Sequence, residues 1–157
     1  MGKKMKKNTS IRHALLEDIS QILPLMEQLG YPQDQEEFEE RFHLFLRQPG
    51  YGISVAGQSS SIQGVIAWSQ SFSLVIPYQR IRIEGLIVDS NYRGQGVGKA
   101  LMQFVEKSVE TLRPCVIELT SGARRAKEGT HAFYNALGYH NDGPAEKLYL
   151  RKMLHAL

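Results

Sequence analysis

The apolar positions alternate between the period of strands and the period of helices, and glycine or proline marks most of the changeovers. Residues 10–14 (SIRHA) predict a first strand. Glu17 and Asp18 then favour a helix start by their charge, and Ile19, Ile22, Leu23, Met26 and Leu29 supply its apolar stripe. Pro24 should kink or interrupt that helix, and Gly30 should stop it. A second helix is expected over residues 33–47, where Phe38, Phe42, Phe45 and Leu46 recur at helical spacing. A hairpin follows, with strands at 51–56 and 62–71 joined by a turn at 57–61. Trp68 reads as a packing residue.

The connection at 73–80 (SLVIPYQR) is unusually apolar; it either extends the strand or folds over a site as a lid carrying Tyr78. In the next strand Ile81, Ile83 and Ile87 fall on one face, and Arg82, Glu84, Leu86 and Val88 on the other. Asp89, Ser90 and Asn91 close it. A helix over 96–112 presents Val97, Leu101, Val105, Ser108 and Leu112, and Pro114 ends it. Residues 115–120 (CVIELT) read as a strand, which a helical crossover makes parallel to the one before. A short helix at 127–137, Gly138 and a last strand near 147–153 complete the chain.

Composition narrows the class. The chain has 157 residues, 42% hydrophobic and 22% charged, which suits one globular domain with a substantial core. Apolar runs are too short to span a bilayer, and the lysine-rich start has neither a signal-peptide core nor a myristoylation motif. One cysteine, Cys115, makes no internal disulfide, which fits a reducing cytoplasm. The net charge of +3 resides in the tail: without Lys3, Lys4, Lys6 and Lys7 there remain 15 basic and 16 acidic residues. Residues 1–9 therefore read as a flexible basic tail and 10–157 as the domain, with no footprint for specific nucleic-acid binding. The five histidines show no metal-ligand spacing, so no metal site is expected.

The stretch after the central strand carries the chemistry. Arg93, Gly94, Gln95, Gly96, Val97, Gly98 and Lys99 form a glycine-rich turn that opens a helix. Such a turn offers backbone amides without internal partners, together with the positive end of the helix dipole, and binds phosphate. A nucleotide P-loop would need glycine at 93 and Ser or Thr at 100, where Arg93 and Ala100 stand. The dinucleotide spacing would need glycine at 99, which is Lys99. What remains is Arg-x-x-Gly-x-Gly, formed by Arg93, Gly96 and Gly98. Gly85, inside an apolar strand, points to a bulge or a close backbone approach.

These residues resemble the GNAT superfamily of acyl-CoA-dependent N-acyltransferases, whose signature at this junction is Gln/Arg-x-x-Gly-x-Gly/Ala. A second match lies 35 residues beyond Gly98: Phe133-Tyr134-Asn135-Ala136-Leu137-Gly138-Tyr139 resembles the family's Phe-Tyr-x-x-Leu-Gly-Phe/Tyr segment. Together the two motifs extend the resemblance over residues 10–153. It implies a single-domain α/β fold: a mixed, mostly antiparallel sheet of six to seven strands flanked by helices, with a parallel strand pair splayed at the cosubstrate site. It also implies acetyl-CoA with its pyrophosphate on residues 93–99 and its pantetheine arm along the backbone of Leu86, Ile87 and Val88. The activity implied is acetyl transfer to a primary amine by direct attack on the thioester.

In the resembled family Tyr134 matches the tyrosine near the coenzyme sulfur, where a phenol can protonate the departing thiolate; otherwise it is an aromatic core residue. Glu84 matches a strand glutamate that takes the amine proton in several members; otherwise it is an ion-pair partner of Arg80 or Arg82. Many relatives carry asparagine seven residues before the tyrosine, where this chain has Lys127, so coenzyme contacts by Arg124 or Lys127 are not assigned. Asp34, Glu36, Glu37, Glu39 and Glu40 form either a solvated helix face or a field that steers a cationic amine. The resemblance is compatible with a homodimer, and the competing functional class is a non-catalytic acyl-CoA-binding regulatory module.

Overall fold

The computed structural model describes residues 9–121, 129–141 and 150–156, so the tail at 1–8 lies outside the described residues. The chain divides after Thr120 into two compact units. The first holds a five-stranded sheet in the order β1 (Ile11–His13), β2 (Gly52–Gln58), β3 (Ser61–Ser71), β4 (Gln79–Val88) and β5 (Cys115–Glu118). Neighbours are antiparallel except β4 and β5, which run parallel. The helices of this unit are α1 (Ile19–Leu29), α2 (Gln35–Arg47) and α3 (Val97–Ser108). The second unit contains α4 (Thr130–Ala136).

Pro24 does not interrupt α1, which runs through it to Gly30 in the left-handed conformation at φ 92°. A proline inside a helix costs about 3 kcal/mol. Burial of Ile19, Ile22 and Leu25 offsets that, at roughly 1.5–3 kcal/mol per side chain. α2 begins two residues later than its periodicity predicts, because the Asp34 side chain accepts from the Glu37 N–H at 3.1 Å and caps it. The hairpin turn is also tighter than expected: Gly57 belongs to β2 at a register shift, with only Ser59 and Ser60 between the strands. Residues 72–78 do not extend β3. Ser73 Oγ accepts from the N–H groups of Val75 and Ile76, bending the backbone out of the ladder, and Pro77 has no N–H to give.

Two cores cover the two faces of the sheet. Ile19, Ile22, Leu25 and Phe42 pack on Val55, Val65 and Ile87. On the other face α3 buries Leu101, Met102 and Val105 completely. α3 ends at Ser108, which is exposed, and Val109 is the next buried position. Gly64 lets α3 approach: a Cβ there would lie 3.0 Å from the Ile87 carbonyl and 3.1 Å from Leu101 and Val97 side-chain atoms.

A bulge in β4 overturns the expected facing. Gly85 pairs with Ala67 and Ile83 with Trp68, so Glu84 is an extra residue with no partner in β3. The extra residue inverts the alternation beyond it. Ile81 and Ile83 share the α3 face with Trp68, whereas Ile87 lies with Val65 on the α1–α2 face and Leu86 and Val88 lie with Ile66 and Gly64.

Among the described residues the sheet has five strands, fewer than the six to seven expected. The difference falls at the C-terminal end. Residues 147–149 lie outside the described residues, and 150–153 carry no strand, with Leu150 and Met153 exposed.

The ion pair that ties β1 to the start of α1 was not visible in the periodicity. Asp18, only 1% exposed, accepts from both terminal nitrogens of Arg12 at 2.7 Å and from the Leu15 N–H at 2.8 Å. The Arg12 hydrogen bonds hold the Asp18 carboxyl below its ordinary pKa, and Asp18 in turn raises that of Arg12. A lowered native pKa means that the stabilisation is complete above the unfolded value near 4 and is lost as pH falls through the folded value. Asp18→Asn should therefore cost about 2–3 kcal/mol at pH 7. In thermal melts the gap to the wild type should close as pH drops below about 4; a gap that is constant with pH would contradict the assignment.

Candidate active site

The parallel pairing of β4 with β5 covers only Gln79 to Arg82, opposite Cys115 to Glu118. Among the described residues, 83–88 have no β5 partner. The Asp89 N–H donates to Gln63 O at 2.8 Å. Antiparallel alternation then turns the backbone groups of Ile87 toward β3 and those of Leu86 and Val88 away from it. Arg93 agrees with this direction, since its Nε donates to the Val88 carbonyl at 3.2 Å. The outward groups of Leu86 and Val88 thus form a short strand edge without a β5 partner among the described residues, with Arg93 on the Val88 carbonyl. Ile87 contributes a buried side chain and an inward-turned backbone to the same segment.

The edge leads directly into the glycine-rich turn. Asp89 accepts from the Asn91 N–H at 2.8 Å, and Gln28 Oε1 from the Ser90 N–H at 2.9 Å, anchoring the turn to α1. Gln95 Nε2 donates to Asn91 O at 3.0 Å. Gly94 and Gly96 have φ of 72° and 88°, a region that penalises any side chain, and a Cβ at either would meet nothing within 4 Å. The surface there is therefore open, and glycine is needed for its dihedrals rather than for space.

Gly96 caps α3 without a side-chain hydrogen bond, and the first intrahelical bond is Ala100 N–H to Gly96 O at 3.0 Å. The amides of Val97, Gly98 and Lys99 precede that bond and point out of the helix end. Val97 offers only its amide, because its side chain is buried; Lys99 is exposed and adds charge. Amides and dipole together suit an anion.

Glu84, displaced by the bulge, accepts from Ser69 Oγ at 2.5 Å, and its other oxygen lies 3.7 Å from Arg82 Nε. Ser69 is buried. The carboxylate is fixed by a neutral donor on one side and a cation on the other, yet it keeps about a third of its surface exposed. That accessibility is what a proton acceptor requires.

In the second unit, α4 and the Gly138 turn build the aromatic segment. Gly138 at φ 89° ends the helix, and the Tyr139 N–H donates back to the Tyr134 carbonyl at 3.0 Å. The Tyr134 ring contacts Phe133 at 5.0 Å and Tyr139 at 6.3 Å between centroids. Arg124 and Lys127 lie outside the described residues.

Comparison with known proteins decides the family. The family model for the Acetyltransferase (GNAT) family matches residues 14–139, which takes in both motifs. The chain belongs to the GNAT acetyltransferase family. It is 27% identical over 130 residues to the aminoalkylphosphonate N-acetyltransferase of Salmonella typhimurium (strain LT2), covering 82% of this chain and 83% of that one. It is 28% identical over 124 residues to the N-acetylaspartate synthetase of Xenopus tropicalis, covering 79% of this chain and 42% of that one. A solved structure of a transcriptional regulator from Bacillus halodurans C-125 superposes with a TM-score of 0.77 at 22% identity, covering 91% of this chain and all of that one. At that identity the likeness establishes the α/β fold alone.

This GNAT protein is an acyl-CoA-dependent acetyltransferase, and its family uses acetyl-CoA as cosubstrate. Among the described residues no group of three His, Cys, Asp or Glu is placed to hold a metal, and no helix is long and apolar enough to cross a membrane. Sequence reasoning missed Ser69, because its bond to Glu84 depends on strand register and no motif marks it. The acidic residues of α2 serve partly as its cap and first turn, with Glu37 also 3.7 Å from Arg41.

Gly96→Asp should weaken acetyl-CoA binding at least tenfold by calorimetry. The left-handed dihedral costs an L-residue roughly 1–2 kcal/mol, and the new carboxylate repels a diphosphate. Unchanged affinity would remove the turn from the binding site.

Proposed function

We propose that residues 10–157 form one N-acetyltransferase domain that transfers the acetyl group of acetyl-CoA to a primary amine by direct attack. The diphosphate of the cosubstrate sits on the amides of residues 93–99, with Arg93 and Lys99 beside it. The pantetheine arm runs along the outward backbone groups of Leu86 and Val88, extending the sheet as a strand would. Glu84 takes the proton of the attacking amine. The nitrogen lone pair forms the C–N bond at the thioester carbonyl, the C–S bond breaks, and Tyr134 protonates the departing thiolate.

The observation that carries this reading is the continuity of the β4 edge with the uncapped start of α3. One acyl-CoA molecule needs an anion site and a strand-like site in series, and these two adjoin through Val88, Arg93 and Gly96. Bonds to the outward groups would also bring the thioester close to the bulge, where Glu84 stands. Both named relatives handle amines that bear an acid group, an aminoalkylphosphonate in one and aspartate in the other. The acceptor panel should accordingly include such amines. A cytoplasmic location and a homodimer accompany this proposal as family-level expectations.

Release of free coenzyme thiol across an amine panel is the direct assay. Turnover with at least one amine is expected; tight acetyl-CoA binding without thiol release would instead identify a non-catalytic acyl-CoA-binding module. Glu84→Gln should lower kcat roughly 100-fold and alter the pH–rate profile; an unaltered profile would exclude Glu84 as the base. Tyr134→Phe should lower kcat roughly 10- to 100-fold while leaving acetyl-CoA affinity near its original value. Full activity in that variant would exclude the proton-donor role.

A further inference from the structure

The face of β3 and β4 that bears Glu84 also carries two arginines in register. Ser69 pairs with Arg82 and Ser71 with Arg80, so all four residues lie on the side of the sheet that holds Val65. Arg80 and Arg82, two residues apart on one strand, are about 7 Å from each other along it. In β5, Glu118 stands opposite Arg82.

The acidic neighbours do not use up the guanidinium donors. Arg80 Nε lies 3.6 Å from Glu118 Oε1, and Arg82 Nε lies 3.7 Å from Glu84 Oε2. Both separations exceed the roughly 2.7–3.2 Å of a formed N–H···O bond. Arg82 makes one such bond, from Nη2 to Thr120 Oγ1 at 3.2 Å. Arg80 makes none among the described residues, and its Nε is shielded from solvent. Shielding keeps the Nε itself from a dissolved ligand, so it is the terminal nitrogens, on a side chain 42% exposed, that can receive one. The fork of a guanidinium fits carboxylate and phosphate oxygens in pairs, which gives that ligand a chemical class.

We propose that the acceptor amine carries an oxyanion, namely a carboxylate, phosphonate or phosphate, that Arg80 and Arg82 bind while its nitrogen is presented to Glu84. The assignment rests on the reading of Glu84 as the base. Because Arg82 is the neighbour of Glu84 on this face, nitrogen and anion are separated by about 5–7 Å, the reach of a few bonds. Arg82 is the nearer of the two guanidinium groups to Glu84, and Arg80 approaches the acid group from its far side. Ser69 and Ser71 line the adjoining strand, where hydroxyls can complete the coordination of an oxyanion without opposing its charge.

Thiol-release assays with 2-aminoethylphosphonate and β-alanine, set against propylamine and ethanolamine, test the assignment. The wild type should favour the anionic amines roughly 100-fold in kcat/KM. Arg80→Gln should reduce that preference roughly 10- to 100-fold, mainly through KM, with acetyl-CoA affinity preserved by calorimetry. Arg80→Lys, which keeps the charge but loses the fork, should fall between the two. Equal rates with charged and uncharged amines, or an unchanged preference in both variants, would overturn the oxyanion site while leaving N-acetylation intact. Thiol release with none of the four amines would overturn the oxyanion site, and a wider panel that also failed would overturn the catalytic reading beneath it.

Discussion

The structure depends on where the hydrogen bonding between β4 and β5 stops. Two parallel strands that began together at Gln79 and Cys115 would ordinarily stay paired along their length, because unpaired backbone groups are costly away from water. Here the ladder ends at Arg82, and two residues later the bulge at Glu84 turns β4 into a new phase against β3. Beyond that point Leu86 and Val88 direct their amides away from the sheet. A sheet that surrenders pairing in its interior gives up stability, and a strand-like cosubstrate can restore those bonds. The same bulge sends Glu84 toward Ser69 and reverses the side on which Ile87 is buried. The outward strand edge, the placement of the carboxylate and the core packing therefore follow from one inserted residue.

The remaining elements hold that edge in relation to the glycine-rich turn. Gly64 allows α3 to lie close on β3 and β4, so the start of the helix falls just past the end of β4. Gln28 and Asp89 fasten the intervening turn from two directions, and Arg93 reaches back to the Val88 carbonyl. At the far end of the sheet the Arg12–Asp18 pair joins β1 to the helix that carries Gln28. The buried pair and the core stabilise the frame; the surface at the β4 edge and the glycine-rich turn is built mostly from main-chain groups. That division explains why glycine, rather than charged residues, dominates the turn.

Much of this was legible from residue type where a residue has few alternative uses. Gly94, Gly96 and Gly98 marked the turn that opens α3, Gly85 marked a disturbed strand, and the pairing of two motifs pointed to the family. The reversal of facing was not legible. Ile81, Ile83 and Ile87 keep the same parity, and a bulge leaves parity in the sequence untouched while inverting it in space. The Ser69–Glu84 bond and the matching of Arg80 and Arg82 with Ser71 and Ser69 depend on register between strands, which no single strand records. Pro24 was overestimated as a breaker because burial of Ile22 and Leu25 outweighs one lost hydrogen bond. The apolar stretch at 73–80 left two readings open, and of these strand extension is excluded for 72–78: Ser73 and Pro77 turn the backbone out of the ladder, leaving Leu74 and Val75 exposed.

Amide hydrogen exchange, resolved by residue and recorded with and without acetyl-CoA, addresses the central claim directly. The account predicts strong new protection at Leu86, Val88 and the amides of residues 94–99. Ile87, already bonded to β3, should change little. Saturating acetyl-CoA that leaves Leu86 and Val88 exchanging as in the free protein would contradict it.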